Sequence, residues 1–389
     1  MRDAPPLHDP EFHSGDPFPA FRRLRTESPV HWHPTPGFWA VTRHEDVVAV
    51  SRDPATFCSS RGVLLSDIER PVVPRQSIIY IDPPEHAKYR KLVQPAFTPG
   101  RLRALEERII GLVRELLAAI DRGATVDFVE AFAAPLPMLV IADMLGVPGS
   151  DHDRFKRWSD AIIDAGTQPT PDNMAQSAEL LAYFSEVLAE RRQRPGDDLL
   201  SVLAHSEIDG ERLEEFDLLM FCLTLLVAGN ETTRNLLSHG ALALATHPEQ
   251  RARLAGDPAL LPRAVEEMLR WGTPVASFMR VATRDTELRG TPIREGDRLL
   301  MLYASANRDE DVFGADAESF EVTRDASRHV AFGFGEHFCL GAQLARMEGR
   351  IAFAHLLERF PDWQLAGKVQ RLPSLFIRGI VRLPLTLSH

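Results

Sequence analysis

The sequence predicts a mostly helical protein that carries small antiparallel sheets. Three observations point there. Between Leu102 and Ile120, apolar residues (Leu102, Leu105, Ile109, Leu112, Val113, Leu116) recur every three or four positions, the rhythm of a helix with one buried face. Proline and glycine bracket another such stretch: Pro135 opens it and Gly146 closes it, which suits proline's fixed φ at a helix start and glycine's freedom at its end. Nearer the C-terminus, short apolar runs are separated by the turn signals Arg289-Gly290 and Ala366-Gly367, the pattern of short hairpins.

Taken in order, prolines crowd the first 37 residues and predict an irregular lead-in. Phe38-Trp39-Ala40-Val41 reads as a short strand ahead of a helix near residues 46–52. Helices are expected at about 102–120, 135–145, 151–165 and 171–192, then a long one at about 213–246 and another at 262–271. Sheet-forming stretches occupy 275–302 and 363–385. No repeat, low-complexity tract or linker divides the chain, so a single unit spanning 1–389 is expected. That is long for one domain but within reach of a large helical one. A hydrophobic content of 44% is enough for a sizeable core.

Composition also excludes function classes. A net charge of −11 argues against nucleic acid as the partner, because phosphate binding needs a basic footprint. Cys58, Cys222 and Cys339 are too few and too scattered for a disulfide framework or a zinc site, which favours a reducing compartment. The opening residues lack the apolar core of a signal peptide, and the apolar stretch Leu218–Ala228 is too short to span a bilayer. The expectation is a monomeric cytoplasmic protein with no membrane segment.

The most informative stretch is Phe332-Gly333-Phe334-Gly335-Glu336-His337-Phe338-Cys339-Leu340-Gly341, at the doorstep of a helix. A cysteine there meets unpaired backbone N–H groups and the positive end of the helix dipole, both of which favour thiolate. Gly333, Gly335 and Gly341 would allow left-handed angles and close approach to a flat group, while Phe332, Phe334 and Phe338 would keep water from the sulfur. Phe-Gly-x-Gly-x-His/Arg-x-Cys-x-Gly is met at every specified position, so the loop resembles the cysteine-ligand signature of the cytochrome P450 monooxygenases. The resemblance implies the P450 fold over nearly the whole chain. It also implies a haem b cofactor, Cys339 as thiolate ligand to its iron, and Phe332, His337 and Gly341 beside it.

A second motif lies in the long helix, Ala228-Gly229-Asn230-Glu231-Thr232-Thr233. Glycine within a helix costs about 1 kcal/mol against alanine, which suggests that something must approach its backbone. Thr232 lies four residues after Ala228, so its hydroxyl can bond that carbonyl and bend the helix. The hexapeptide looks like the P450 oxygen-binding helix. By that resemblance Ala228 and Gly229 shape the oxygen groove, and Glu231 and Thr232 are the acid and alcohol that deliver protons as the O–O bond breaks.

Glu267 and Arg270, three apart on one helix face, are similar to the family's buried Glu-x-x-Arg pair. Where the family often supplies a third partner this chain has Ser319, leaving Arg324 and Arg308 as candidates. His86 and Arg90, one helical turn apart, together with Arg280 and His337, occupy positions that resemble the family's ligands for the haem carboxylates.

The resemblance therefore implies insertion of one oxygen atom from dioxygen into a hydrophobic small molecule: a terpene, steroid, fatty acid or polyketide-type compound. Substrate contacts are expected from 64–79, from the long helix near Thr224, and from the apolar residues of 275–278 and 375–377. A peroxide-driven peroxygenase and a non-catalytic haem-binding module are the alternatives, and Glu231-Thr232 speaks against both. The chain has no dinucleotide fingerprint and no cluster-type cysteine spacing. Electrons are thus expected from a separate ferredoxin and an NAD(P)H-dependent ferredoxin reductase. Lys88 and Lys91, each about 100° or more around the helix from His86 and Arg90, with Arg101, Arg103 and Arg346, form the expected docking patch.

Overall fold

The computed structural model describes residues 5–69, 77–167, 170–208, 210–212 and 214–388. Within it the N-terminal prolines start helices. Pro10 opens α1 (Pro10–Ser14), whose Asp9 cap accepts the Glu11 N–H. Pro19 sits in the first turn of α2 (Phe18–Glu27), where its missing N–H is not needed. The expected irregular lead-in is thus partly helical. A hairpin follows, β1 (Val30–His33) with β2 (Phe38–Val41), then α3 (His44–Arg52) and β3 (Phe57–Cys58).

Next come α4 (Glu85–Val93), α5 (Pro99–Ala118), β4 (Thr125–Asp127) and α6 (Pro135–Leu145). Gly146 ends α6 with φ 75°, the left-handed cap expected there. Helices α7 (His152–Thr167) and α8 (Pro171–Gln193) pack together. Thr170 caps α8, trading bonds with Asn173 in a variant of the capping box. Then α9 (Leu199–Ala204) and the two-residue strands β5 (Glu207–Ile208) and β6 (Glu211–Arg212) lead to α10 (Glu215–Thr246). Residue 213, the expected start of the long helix, lies outside the described residues. Helix α11 (Pro248–Gly256), not foreseen from the sequence, precedes α12 (Leu261–Gly272).

Strands β7 (Ser277–Ala282), β8 (Thr286–Leu288), β9 (Thr291–Ile293) and β10 (Arg298–Leu302) follow. Arg289 (φ 50°) and Gly290 (φ 76°) make the β8–β9 turn, both central residues being left-handed as a tight hairpin requires. The largest sheet has the order β1-β2-β10-β7-β3 and is mixed, because β2 and β10 run parallel, Trp39 beside Leu299. Within 275–302 and 363–385 the strands pair antiparallel as expected; the parallel partner comes from outside them. The chain closes with α13 (Tyr303–Ala306), α14 (Glu310–Phe313), α15 (Ala342–Arg359), β11 (Asp362–Leu365), β12 (Gln370–Arg371), β13 (Ile380–Arg382) and β14 (Pro384–Ser388). Sheet β11-β14-β4 and the two-stranded β12-β13, β5-β6 and β8-β9 are the other sheets among the described residues.

Helix α10 organises the helical core, packing on α6, α12 and α15. Its 32 residues are long and apolar enough to cross a membrane by composition alone. Its C-terminal half, from Asn235 to Leu244, is nevertheless buried on every side against those helices, as befits a helix that is apolar all round inside a large protein.

Candidate active site

Between Val330 and Ala342 the backbone folds on itself. The Gly333 N–H donates to Val330 O at 2.9 Å, Phe338 N–H to Gly335 O at 3.1 Å, and Cys339 N–H to Phe332 O at 2.9 Å. Gly333 and Gly335 both take φ 71°. A Cβ on Gly335 would collide with the carbonyl oxygen of Ser51, so α3 fixes the loop from behind. Gly341 departs from expectation: its φ is −84°, and a Cβ added there would meet nothing within 4 Å. Its lack of a side chain therefore leaves the space at its own Cβ position open, with no unusual turn. Phe332 packs edge-on to Phe338, with ring centroids 6.2 Å apart. Phe334 instead lies under Arg52 of α3, so it shields the loop's outer side.

Cys339 is half-buried. Burial pushes its thiol upward, while the Gly341 backbone N–H and the charges of Arg90 and Arg346 pull it down, and burial wins. The helix start alone does not make a thiolate here. A bound metal cation would, because ligation deprotonates a thiol outright.

The expected cations converge on this loop. Arg90 of α4 donates to Glu336 O at 3.1 Å and to Phe338 O at 2.7 Å. The rings of His86 and His337 lie 4.2 Å apart, and Ser59 Oγ sits 3.1 Å from His337 Nε2. Arg280, only 6% exposed, donates to Met279 O at 2.8 Å. Among the described residues, neither Arg90 nor Arg280 has an ion-pair partner. Burial, then the charges of Arg280, His86 and Arg90, drives His337 down to about 2. His86 is lowered for the same reasons, burial first and Arg90 next. The two imidazoles are thereby held neutral, and the charge left over is that of the guanidiniums: buried Arg280, without a counter-ion among the described residues, calls for an anion.

On α10, Thr232 Oγ1 donates to Ala228 O at 2.6 Å, the back-bond expected to bend the helix. The close approach expected at Gly229 is present. A Cβ on Gly229 would press on Ile141 Cδ1 at 2.7 Å, so the close approach it allows is to α6. Glu231 is buried. Its Oε1 accepts from Arg234, and from Asn235 at 3.2 Å, whereas Oε2 is buried with no partner among the described residues. Those two partners were missed in the sequence, although spacings of three and four residues along a helix could have revealed them.

Below, Glu267 and Arg270 form a fully buried two-bond pair at 2.6 and 2.7 Å. Arg270 also donates to the carbonyls of Asn307, Ala317 and Ser319. The third partner is Arg324, 3.3 Å from Glu267. Arg308 pairs with Glu318 instead.

Comparison with known proteins follows the same lines. The cytochrome P450 family model matches residues 258–389. A methyl-branched lipid omega-hydroxylase of Mycobacterium tuberculosis is 41% identical over 391 residues, 95% of this chain and 90% of that protein. The chain belongs to the cytochrome P450 family. The structure of CYP109Q5 from Chondromyces apiculatus superposes with a TM-score of 0.89 at 39% identity, covering 98% of this P450 and 97% of that chain. CYP268A2 of Mycobacterium marinum, solved with pseudoionone, gives 0.87 at 41% identity, with 97% of each chain covered. Like its relatives, this P450 is a monooxygenase, an oxidoreductase.

Family membership implies a thiolate-bound haem, and the residues present fit one. The Cys339 sulfur takes the Gly341 backbone N–H, the position a Gly341 side chain would fill is open, and Arg90 and buried Arg280 stand by without ion-pair partners among the described residues, a donor set suited to two carboxylates. Lys88 and Lys91 are exposed, on the side of α4 away from His86, as the helical spacing predicts, and Arg103 is exposed as well. Arg101 approaches Asp197 at 3.5 Å. Arg346 does not belong to a free basic patch, because one edge of its guanidinium, Nε and Nη2, is held by both oxygens of Glu266. Of the expected substrate-contact regions, 70–76 lies outside the described residues. Ser77 meets Thr224 at 3.1 Å, and Val275 bridges Ile377. Ala276 N–H donates to Phe376 O at 2.7 Å.

Proposed function

We propose that this chain, as a single haem domain working in the cytoplasm, hydroxylates methyl-branched apolar molecules of the lipid or isoprenoid type, with electrons from a ferredoxin and its reductase. One observation carries the site: Cys339 stands in a glycine-pinned loop ringed by His86, Arg90, Arg280 and His337. The substrate class is supported by two relatives, one named for methyl-branched lipids and one solved with pseudoionone, a branched apolar chain.

Haem, when bound, supplies dioxygen activation; the chain's residues do the rest. Cys339 would offer its sulfur to the haem iron, His337, His86, Arg90 and Arg280 would hold the haem carboxylates, and the Phe332 carbonyl holds the Cys339 N–H. One oxygen atom goes into a C–H bond of the substrate and the other leaves as water, which consumes two electrons and two protons. Glu231 Oε2, buried without a partner among the described residues while Oε1 is gripped by Arg234 and Asn235, would be the atom that receives a proton. The Thr232 hydroxyl, oriented by Ala228 O, passes it towards the reacting oxygen. Ferredoxin docks by charge on the face bearing Lys88 and Lys91 and is weakened by salt.

Changing Thr232 to alanine tests the proton path. Haem content is expected to stay near the parent level, while electrons drain into peroxide and product per NAD(P)H consumed falls severalfold. Unaltered coupling would assign Thr232 a packing role only.

A further inference from the structure

Adjacent carboxylates on α12 serve different clients. Glu267 holds Arg270 and Arg324, as described above. Glu266 instead takes the Arg346 fork at 2.7 and 2.9 Å, and His329 Nε2 at 3.1 Å. Burial alone would raise the Glu266 carboxyl; the bonds from His329 and Arg346 outweigh it and bring the group down to about 2. The tautomer of His329 follows from its neighbours. The Ala331 N–H donates to Nδ1 at 3.1 Å, so Nδ1 is an acceptor and Nε2–H donates to Glu266. The cluster therefore holds one cation, Arg346, one anion, Glu266, and one neutral ring.

Three parts of the fold meet at that carboxylate: α12, the strand of chain entering the cysteine loop, and α15 leaving it. Between them lies Phe332. Its ring has the Arg346 guanidinium over it at 4.6 Å and the His329 ring at 5.6 Å, and its carbonyl receives the Cys339 N–H. Arg346 is also among the charges acting on the sulfur itself.

We infer that Glu266, His329 and Arg346 are positioning residues that clamp both ends of the cysteine loop, and that Arg346 and Glu266 are opposed levers on the electron affinity of the group that Cys339 ligates. This rests on Cys339 being that ligand. The physics is Coulombic. A cation near the sulfur stabilises the extra negative charge that arrives on reduction, and its carboxylate partner cancels most of that field. Removing the carboxylate exposes the cation's field; removing the cation leaves the anion's.

The test uses holoprotein of the parent, Glu266→Gln, Arg346→Met and Arg346→Lys, with midpoint potential read by spectroelectrochemistry beside the reduced carbon monoxide spectrum. Glu266→Gln is expected to shift the potential upward and Arg346→Met downward, with Arg346→Lys near the parent. Shifts of the same sign in the first two variants, or none in either, would overturn the inference. So would an Arg346→Met protein that lost only its rate of reduction by ferredoxin, because Arg346 would then be a docking residue. If Glu266→Gln fails to retain haem, the gap between Arg346→Met and Arg346→Lys decides, equal potentials being the contrary result. Failure of the ligand assignment itself would be seen separately, as a parent protein lacking the thiolate band.

Discussion

Replacing Cys339 with histidine is expected to abolish the red-shifted Soret band of the reduced carbon monoxide complex, together with monooxygenase turnover. No nearby side chain can take the sulfur's place, because the other cysteines, Cys58 and Cys222, are buried elsewhere, on β3 and in α10. An imidazole ligand donates less electron density than a thiolate, and cleavage of the O–O bond suffers accordingly. Changing Cys58 or Cys222 to serine should leave the band in place. A Cys339→His protein that kept both band and turnover would show that the ligand lies elsewhere.

The second large effect concerns Arg270. With no exposed surface it makes two bonds to Glu267 and donates to three carbonyls from the segment between α13 and the cysteine loop. Arg270→Met would leave the Glu267 carboxylate buried, with Arg324 and the Glu321 N–H as its remaining partners. It would also leave the carbonyls of Asn307, Ala317 and Ser319 without their donor. Breaking such a buried pair from one side costs about 3–5 kcal/mol, a large share of a domain's usual stability. Denaturant unfolding should show that loss, and the haem-loaded fraction should fall with it. A loss below about 1 kcal/mol, the size of an exposed ion pair, would contradict the account.

What could be seen in the sequence depended on how far apart the cooperating residues lie. The cysteine loop and the α10 hexapeptide are contiguous, so spacing alone exposed them. His86 and Arg90 share one turn of α4, and the structure turns both towards the loop. By contrast Glu266 and Arg346 are 80 residues apart, and no local pattern distinguishes a clamped arginine from one that faces a partner protein. The glycine within α10 signalled a close approach without saying which neighbour needed the room; packing answers with Ile141. The choice of Arg324 over Arg308 was likewise settled by tertiary packing. The parallel pairing of β2 with β10 joins strands from opposite ends of the chain, beyond the reach of periodicity. The N-terminal helices were hidden for another reason: proline is a breaker inside a helix but a favoured first-turn residue, and that distinction depends on where the helix begins.

The most direct test of the central claim is the source of the oxygen atom in the product. Holoprotein would be supplied with ferredoxin, reductase, NAD(P)H and a methyl-branched lipid or isoprenoid that shifts its Soret band on binding, under isotopically labelled dioxygen. The account predicts a hydroxylated product carrying one labelled oxygen atom, with the parent outperforming Thr232→Ala in product per NAD(P)H. Product whose oxygen comes from water, or equal product from both proteins when only peroxide is supplied and none with ferredoxin, would contradict it.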